Sequence, residues 1–196
     1  MTYNTFKLSI TFLLGSVLGF SQEVTESFKD SRKIQEVVTL DPVQKEGDTA
    51  SAKPVASGEV LKRALNFIRT ENSKYNKSTI VNVGNKAECM VSFKYKPKEL
   101  NPKSDVEGVF TMHLSVEAKD GKYRYSITKL IHTSKNSDCT GGDIYADVPI
   151  CGSMRLSPPQ WKQMKSEALK NTTILITDLK ETMKVSSALS VEKDDW

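Results

Sequence analysis

The chain contains two histidines, His113 and His132, and both fall in one stretch, GVFTMHLSVEAKDGKYRYSITKLIH, from Gly108 to His132. Imidazole is the side chain best suited to take a proton from a hydroxyl near neutral pH. If this stretch is a hairpin turning at Asp120-Gly121, then His113, Ser115, Glu117, Arg124, Ser126 and Thr128 share one face, and His132 joins them in the same register. Such a cluster would suit hydrolysis or group transfer by a serine activated by histidine. No nucleophile elbow and no oxyanion glycine loop accompanies it, so no residue is assigned as catalytic. The six residues are read as a binding face, with a hydrolase or transferase using His113 or His132 and a neighbouring serine as the alternative.

Metal chemistry has less support. There is no CxxC, no HExxH and no calcium loop with its glycine and closing glutamate, so neither a metal nor a cofactor is expected. Asp138, Asp143 and Asp147 read as solvated loop acids, and Gly141-Gly142 and Gly152 as turn formers without a phosphate-binding context. Cys139 and Cys151 bracket the loop TGGDIYADVPI and form the disulfide candidate. Closing a loop of that length contributes up to ~3 kcal/mol in the chain-entropy model. Cys89 alternates with Val91, Phe93 and Tyr95 and reads as a small buried apolar residue.

The elements that must position these groups follow from periodicity. Asp120-Gly121 suits a type I′ turn, which sets Lys119 against Lys122. Counting outward, Ala118, Val116, Leu114, Met112 and Phe110 then oppose Tyr123, Tyr125, Ile127, Lys129 and Ile131, an apolar face that must be buried. The other face pairs Glu117 with Arg124, Ser115 with Ser126, His113 with Thr128 and Thr111 with Leu130. A second hairpin is expected around Gly84-Asn85, joining Ser78 to Val83 with Glu88 to Tyr95. Lys33 to Leu40 reads as a strand ended by Pro42. A helix capped by Ser57 should run to about Glu71 with Val60, Leu61, Ala64, Leu65 and Ile68 on its apolar face. Ser157-Pro158-Pro159-Gln160 is a capping box that starts a helix carrying Trp161, Met164, Ala168, Leu175, Leu179 and Met183 to about Lys184, with a break near Asn171-Thr172-Thr173.

At the amino end, Lys7, the apolar run Leu8 to Phe20 and the small residues of Gly19-Phe20-Ser21 form an export signal over residues 1–21. The run is shorter than the ~20 residues of a spanning helix, so no transmembrane anchor is expected after cleavage. Residues 22–32 read as a flexible lead-in, 33–186 as one domain with an exposed connector at 43–56, and 187–196 as a polar tail. The net charge of +4 comes from lysines interspersed with acids, such as Lys45-Glu46 and Lys180-Glu181, which argues against nucleic acid as a partner. Two amphipathic helices on one face of an antiparallel sheet of about five strands is the α+β two-layer solution, in the order β-α-β-β-β-β-α.

The helix GEVLKRALNFI after a strand, the hairpin FTMHLSVEAKDGKYRYSITKLIH and the closing helix led by Trp161 resemble a domain family of unknown function with a TATA-box-binding-protein-like fold, found in exported proteins of Bacteroidota. The GFSQ junction at the signal is also like exported proteins of that group. The resemblance covers about Lys33 to Lys184 and implies the fold and an exported, periplasmic or secreted location, but no reaction. The expected function is a binding or interaction module of the envelope, not an enzyme, whose partner is a protein, a glycan or a small ligand. A structural domain of a larger envelope assembly is the other non-catalytic reading.

Overall fold

A computed structural model describes residues 32–42, 53–97, 106–135 and 139–184. The expected signal peptide, nearly all of the lead-in, residues 43–52 of the connector, the proline-containing stretch 98–105, Asp138 and the tail lie outside the described residues. The element order is β1 (Lys33–Thr39), α1 (Ser57–Arg69), β2 (Asn76–Val83), β3 (Lys86–Tyr95), β4 (Gly108–Lys119), β5 (Lys122–Ser134), a two-residue β6 (Gly142–Asp143) and α2 (Pro158–Lys184). The strands form one sheet in the order β1-β5-β4-β3-β2, antiparallel throughout, with β6 pairing β5 beyond the end of β1.

The alternation of the hairpin strands drives this layering. Phe110, Met112, Leu114 and Val116 of β4 are fully buried, as are Cys89 and Val91 of β3, against Val60, Ala64 and Ile68 of α1 and Met164, Leu175, Leu179 and Met183 of α2. Each fully buried side chain of this size contributes about 1.5–3 kcal/mol relative to exposure. Cys89 has its thiol pushed up to about 11 by burial, which leaves it protonated and inert.

Three local expectations change. Gly121 has φ 68, but Asp120 does not enter the left-handed region, so the turn is not type I′. Tertiary contacts explain the difference: Gly121 N–H donates to Val55 O at 2.7 Å, Leu40 N–H donates to Gly121 O at 2.8 Å, and the Asp120 carboxylate accepts from Ser57 N–H at 2.7 Å. That last bond also corrects the helix cap. Ala56 occupies the cap position with no side-chain bond, Ser57 is the first helical residue, and Asp120 supplies the missing acceptor from the neighbouring hairpin. The helix ends at Arg69, and its buried face carries Arg63 and Phe67, whereas Leu61 and Leu65 are half-buried. Finally, α2 does not break near Thr172: Thr172, Thr173 and Thr177 return their hydroxyls to carbonyls four residues earlier, at 2.9, 3.1 and 3.0 Å.

The largest departure lies in β5. The ladder follows the expected pairing from Lys119 with Lys122 to His113 with Thr128, and then slips, so that Thr111 opposes Ile131 and Phe110 opposes His132. The extra residue is Lys129, at φ 55. Past this bulge the faces of β5 exchange: Leu130 and His132 turn into the core, and Ile131 becomes exposed. A left-handed lysine is strained, so Lys129→Gly should raise stability by up to about 1 kcal/mol in urea titrations, with the Phe110 to His132 pairing kept. A lower denaturation midpoint for this variant would contradict the assigned bulge.

Candidate functional site

The six residues expected on the polar face occupy the side of the sheet that neither described helix covers, with Ser115 itself buried between its neighbours, and the registers arrange them in cross-strand rows. One row runs Val37, Arg124, Glu117, Lys86, Val83 from edge to edge; the next runs Gln35, Ser126, Ser115, Glu88, Val81; a third runs Lys33, Thr128, His113, Met90, Ser78. Extended strands place these side chains opposite one another within reach of direct pairing. Arg124 is ion-paired with Glu117, and Lys86 with Glu88. The Arg124 guanidinium holds the Glu117 carboxyl below its usual range, and Lys86, with help from Ser115 and His113, does the same for Glu88.

Glu88 is the residue that sequence reasoning missed. The sequence places it in a strand, but its neighbours across the ladder follow only from the pairing of β3 with β4. Its carboxylate collects Lys86 and Ser115, with His113 Nε2 at 3.8 Å. This arrangement bears directly on catalysis, because the Ser115 hydroxyl is given to a carboxylate rather than to an imidazole. A glutamate held ionised by a lysine is a poor proton acceptor, and with Arg124, Glu117 and His113 it forms a mosaic of charge on this face.

His132 does not share this face. The bulge at Lys129 carries it to the opposite side of the sheet, fully buried, which corrects the expectation that the two histidines lie together. There, Gly141 N–H donates to His132 Nδ1 at 3.0 Å, which requires the proton to sit on Nε2, and Nε2 donates to Val106 O at 3.1 Å. Burial lowers the pKa of the ring, against a smaller opposing pull from the Val106 carbonyl. The ring also packs edge-on against Tyr95 and Phe110. His132 is thus a neutral structural strut joining β5 to two loops.

Cys139 and Cys151 are disulfide-bonded, with Cα atoms 4.9 Å apart. The loop they close packs beneath Trp161, whose indole N–H donates to Ala146 O at 3.2 Å, beside Lys165, which donates to the same oxygen at 2.6 Å. Val148, Ile150 and Met154 in and after this loop are exposed. Among the described residues, no group of three or more His, Cys, Asp and Glu side chains could hold a metal ion, and no helix is long and apolar enough to cross a membrane.

A single antiparallel sheet with two helices on one side and a polar ladder on the other defines an α+β domain of the TATA-box-binding-protein-like class. Among solved structures, the chain is similar to a TBP-like protein from Parabacteroides distasonis, at 12% identity and a TM-score of 0.50, over 79% of this chain and 94% of that one. A DUF4468 family protein from Bacteroides ovatus aligns at 9% identity and a TM-score of 0.47, over 78% of this chain and 86% of that one. At 12% identity the likeness to the first is one of fold alone. No protein-family model and no curated protein matches the sequence.

Proposed function

We propose that the protein is an exported binding module of the bacterial envelope, which engages a partner through the uncovered face of its sheet and performs no reaction on it. The observation that carries this reading is the mosaic of Arg124, Glu117, Lys86, Glu88 and His113, a surface of alternating sign fixed by pairs across the ladder, Arg124 with Glu117 and His113 with Glu88, and by Lys86 with Glu88 along β3. Alternating charge gives specificity toward a surface of complementary pattern, which is the mark of a protein partner. None of the residues in the three charged and polar rows is Phe, Tyr or Trp, so stacking on sugar rings or nucleobases finds no broad platform there, and Arg124 and Lys86 are already tied to carboxylates. The signal-like amino end and the disulfide between Cys139 and Cys151 support an oxidising, exported location.

The test is capture from envelope extract on immobilised mature protein beginning at Gln22, beside a glycan panel and a small-metabolite pool. A saturable protein partner is expected. Arg124→Glu and Glu88→Lys should each weaken it about tenfold, the effect of reversing one well-placed interface charge. The fold should survive both changes, since surface pairs whose cation is about half exposed contribute little to stability. Saturable binding to glycan or small ligand alone, or capture indifferent to both reversals, would count against the proposal.

A further inference from the structure

On the other side of the sheet, away from the charged ladder, a recess of about 100 Å³ opens between the end of β1, α1 and the last turns of α2. A water needs only about 10–15 Å³ of such space, so the recess admits a group of several heavy atoms. Its walls include Asp41, Arg63, Tyr123, Lys180 and Lys184. Tyr123 is 1% exposed, and its hydroxyl is buried with no hydrogen-bond partner among the described residues. A buried hydroxyl without a partner costs stability, so Tyr123 has a proton to give to any acceptor that the recess can hold beside it.

The charges around the recess indicate what that occupant would be. Glu36 is saturated: Lys180 Nζ donates to Oε1 and Oε2 at 2.7 and 2.8 Å, and Tyr125 donates its hydroxyl to Oε2. Arg63, buried on α1, uses Nε on Glu59 at 3.1 Å and Nη1 on Met183 O at 2.9 Å. A guanidinium carries five N–H donors, so Arg63 retains others. Lys184 has no ion-pair partner among the described residues, and Asp41 lies exposed at the rim. The carbonyl end of α2 would oppose an anion, but Arg63 already occupies one of its carbonyls.

We propose that this recess binds a small oxyanion, a carboxylate or a phosphate group, held by the Tyr123 hydroxyl, the spare Arg63 donors and the Lys184 ammonium. The site is separate from the sheet face proposed above, and neither reading depends on the other.

The experiment uses the full mature chain in a chloride buffer, with inorganic phosphate or acetate titrated at constant ionic strength while melting temperature and amide and arginine side-chain NMR shifts are followed. Saturable binding of at least one of the two anions is expected, with shifts centred on Tyr123, Arg63 and Lys184. Phosphate alone, or acetate alone, would identify which oxyanion the site takes. Tyr123→Phe and Lys184→Gln should each weaken it about tenfold, the worth of one hydrogen bond to a charged group. Tyr123→Phe keeps the ring and should leave the anion-free protein as stable as before or slightly more so. Unsaturable responses to both anions, or affinities unchanged in both variants, would overturn the proposal, as would a marked loss of anion-free stability in Tyr123→Phe.

Discussion

Replacing His132 by leucine should destabilise the domain by about 3 kcal/mol, because the change strands two buried backbone groups, each costing about 1–3 kcal/mol when left unpaired. The groups are Gly141 N–H, which now donates to Nδ1, and Val106 C=O, which now accepts from Nε2. The aliphatic side chain keeps most of the packing against Tyr95 and Phe110, so the loss isolates the polar contribution. Acid should act through the same residue. The ring has its pKa lowered from an ordinary value of 6.5 by burial, so below that pH the unfolded chain takes up a proton that the folded chain refuses. Its contribution is therefore complete above about pH 6.5 and is lost as pH falls through the folded value, by about 1.4 kcal/mol for each pH unit separating the two. Urea titrations from pH 7.5 down to about pH 5, above the carboxylate range, should show this decline in the natural protein and a flatter curve in the leucine variant. Parallel curves would remove His132 as the source.

The same histidine shows how far the sequence can be read. Alternation in β4 and in the first half of β5 predicts the register because Val116, Leu114, Tyr125 and Ile127 leave one face no choice but burial. Beyond Thr128 the pattern still alternates, but nothing in Lys129 announces a left-handed residue, since lysine there is disfavoured on its own account. One signal was available. Continuing the regular register sets Lys129 on the apolar face opposite Met112 and Leu130 on the polar one, a local conflict that a one-residue bulge removes by returning Leu130 to the core.

The open face was legible for a similar reason, and illegible in one respect. Its members on β4 and β5 follow from a two-residue turn, which fixes Glu117 against Arg124 and Ser115 against Ser126. Glu88 joins them only through the pairing of β3 with β4, a contact across a long connection that includes the stretch 98–105. Register between strands joined by a tight turn is local information; register across a long loop is decided by the packed core. The cap of α1 by Asp120 belongs to the second kind, since the two residues are 63 positions apart.

Removing the disulfide, by Cys139→Ser with Cys151→Ser, should cost the folded state about 3 kcal/mol, the chain-entropy value for closing a loop of this size. The effect should be unequal across the molecule. The loop is held by the bond between Cys139 and Cys151, by Cys151 N–H donating to Thr140 O at 3.2 Å and Ile150 N–H to Gly141 O at 3.0 Å, and by the indole of Trp161. Gly142 stands at φ 77 against the side chain of Ile150, a close approach that the closed loop enforces. Opening the bond releases these contacts first, and with them Gly141, the partner of His132 Nδ1. Amide exchange should therefore accelerate in the loop 139–151, in β6 and at Gly141, while β3, β4 and the first half of β5 keep their protection. Binding through Arg124, Glu117 and Glu88 should persist, because those pairs depend on the ladder and not on the loop. Uniformly faster exchange throughout the sheet would show instead that the loop and the sheet unfold as one unit, and the double variant would then lose partner binding in proportion to its lost stability.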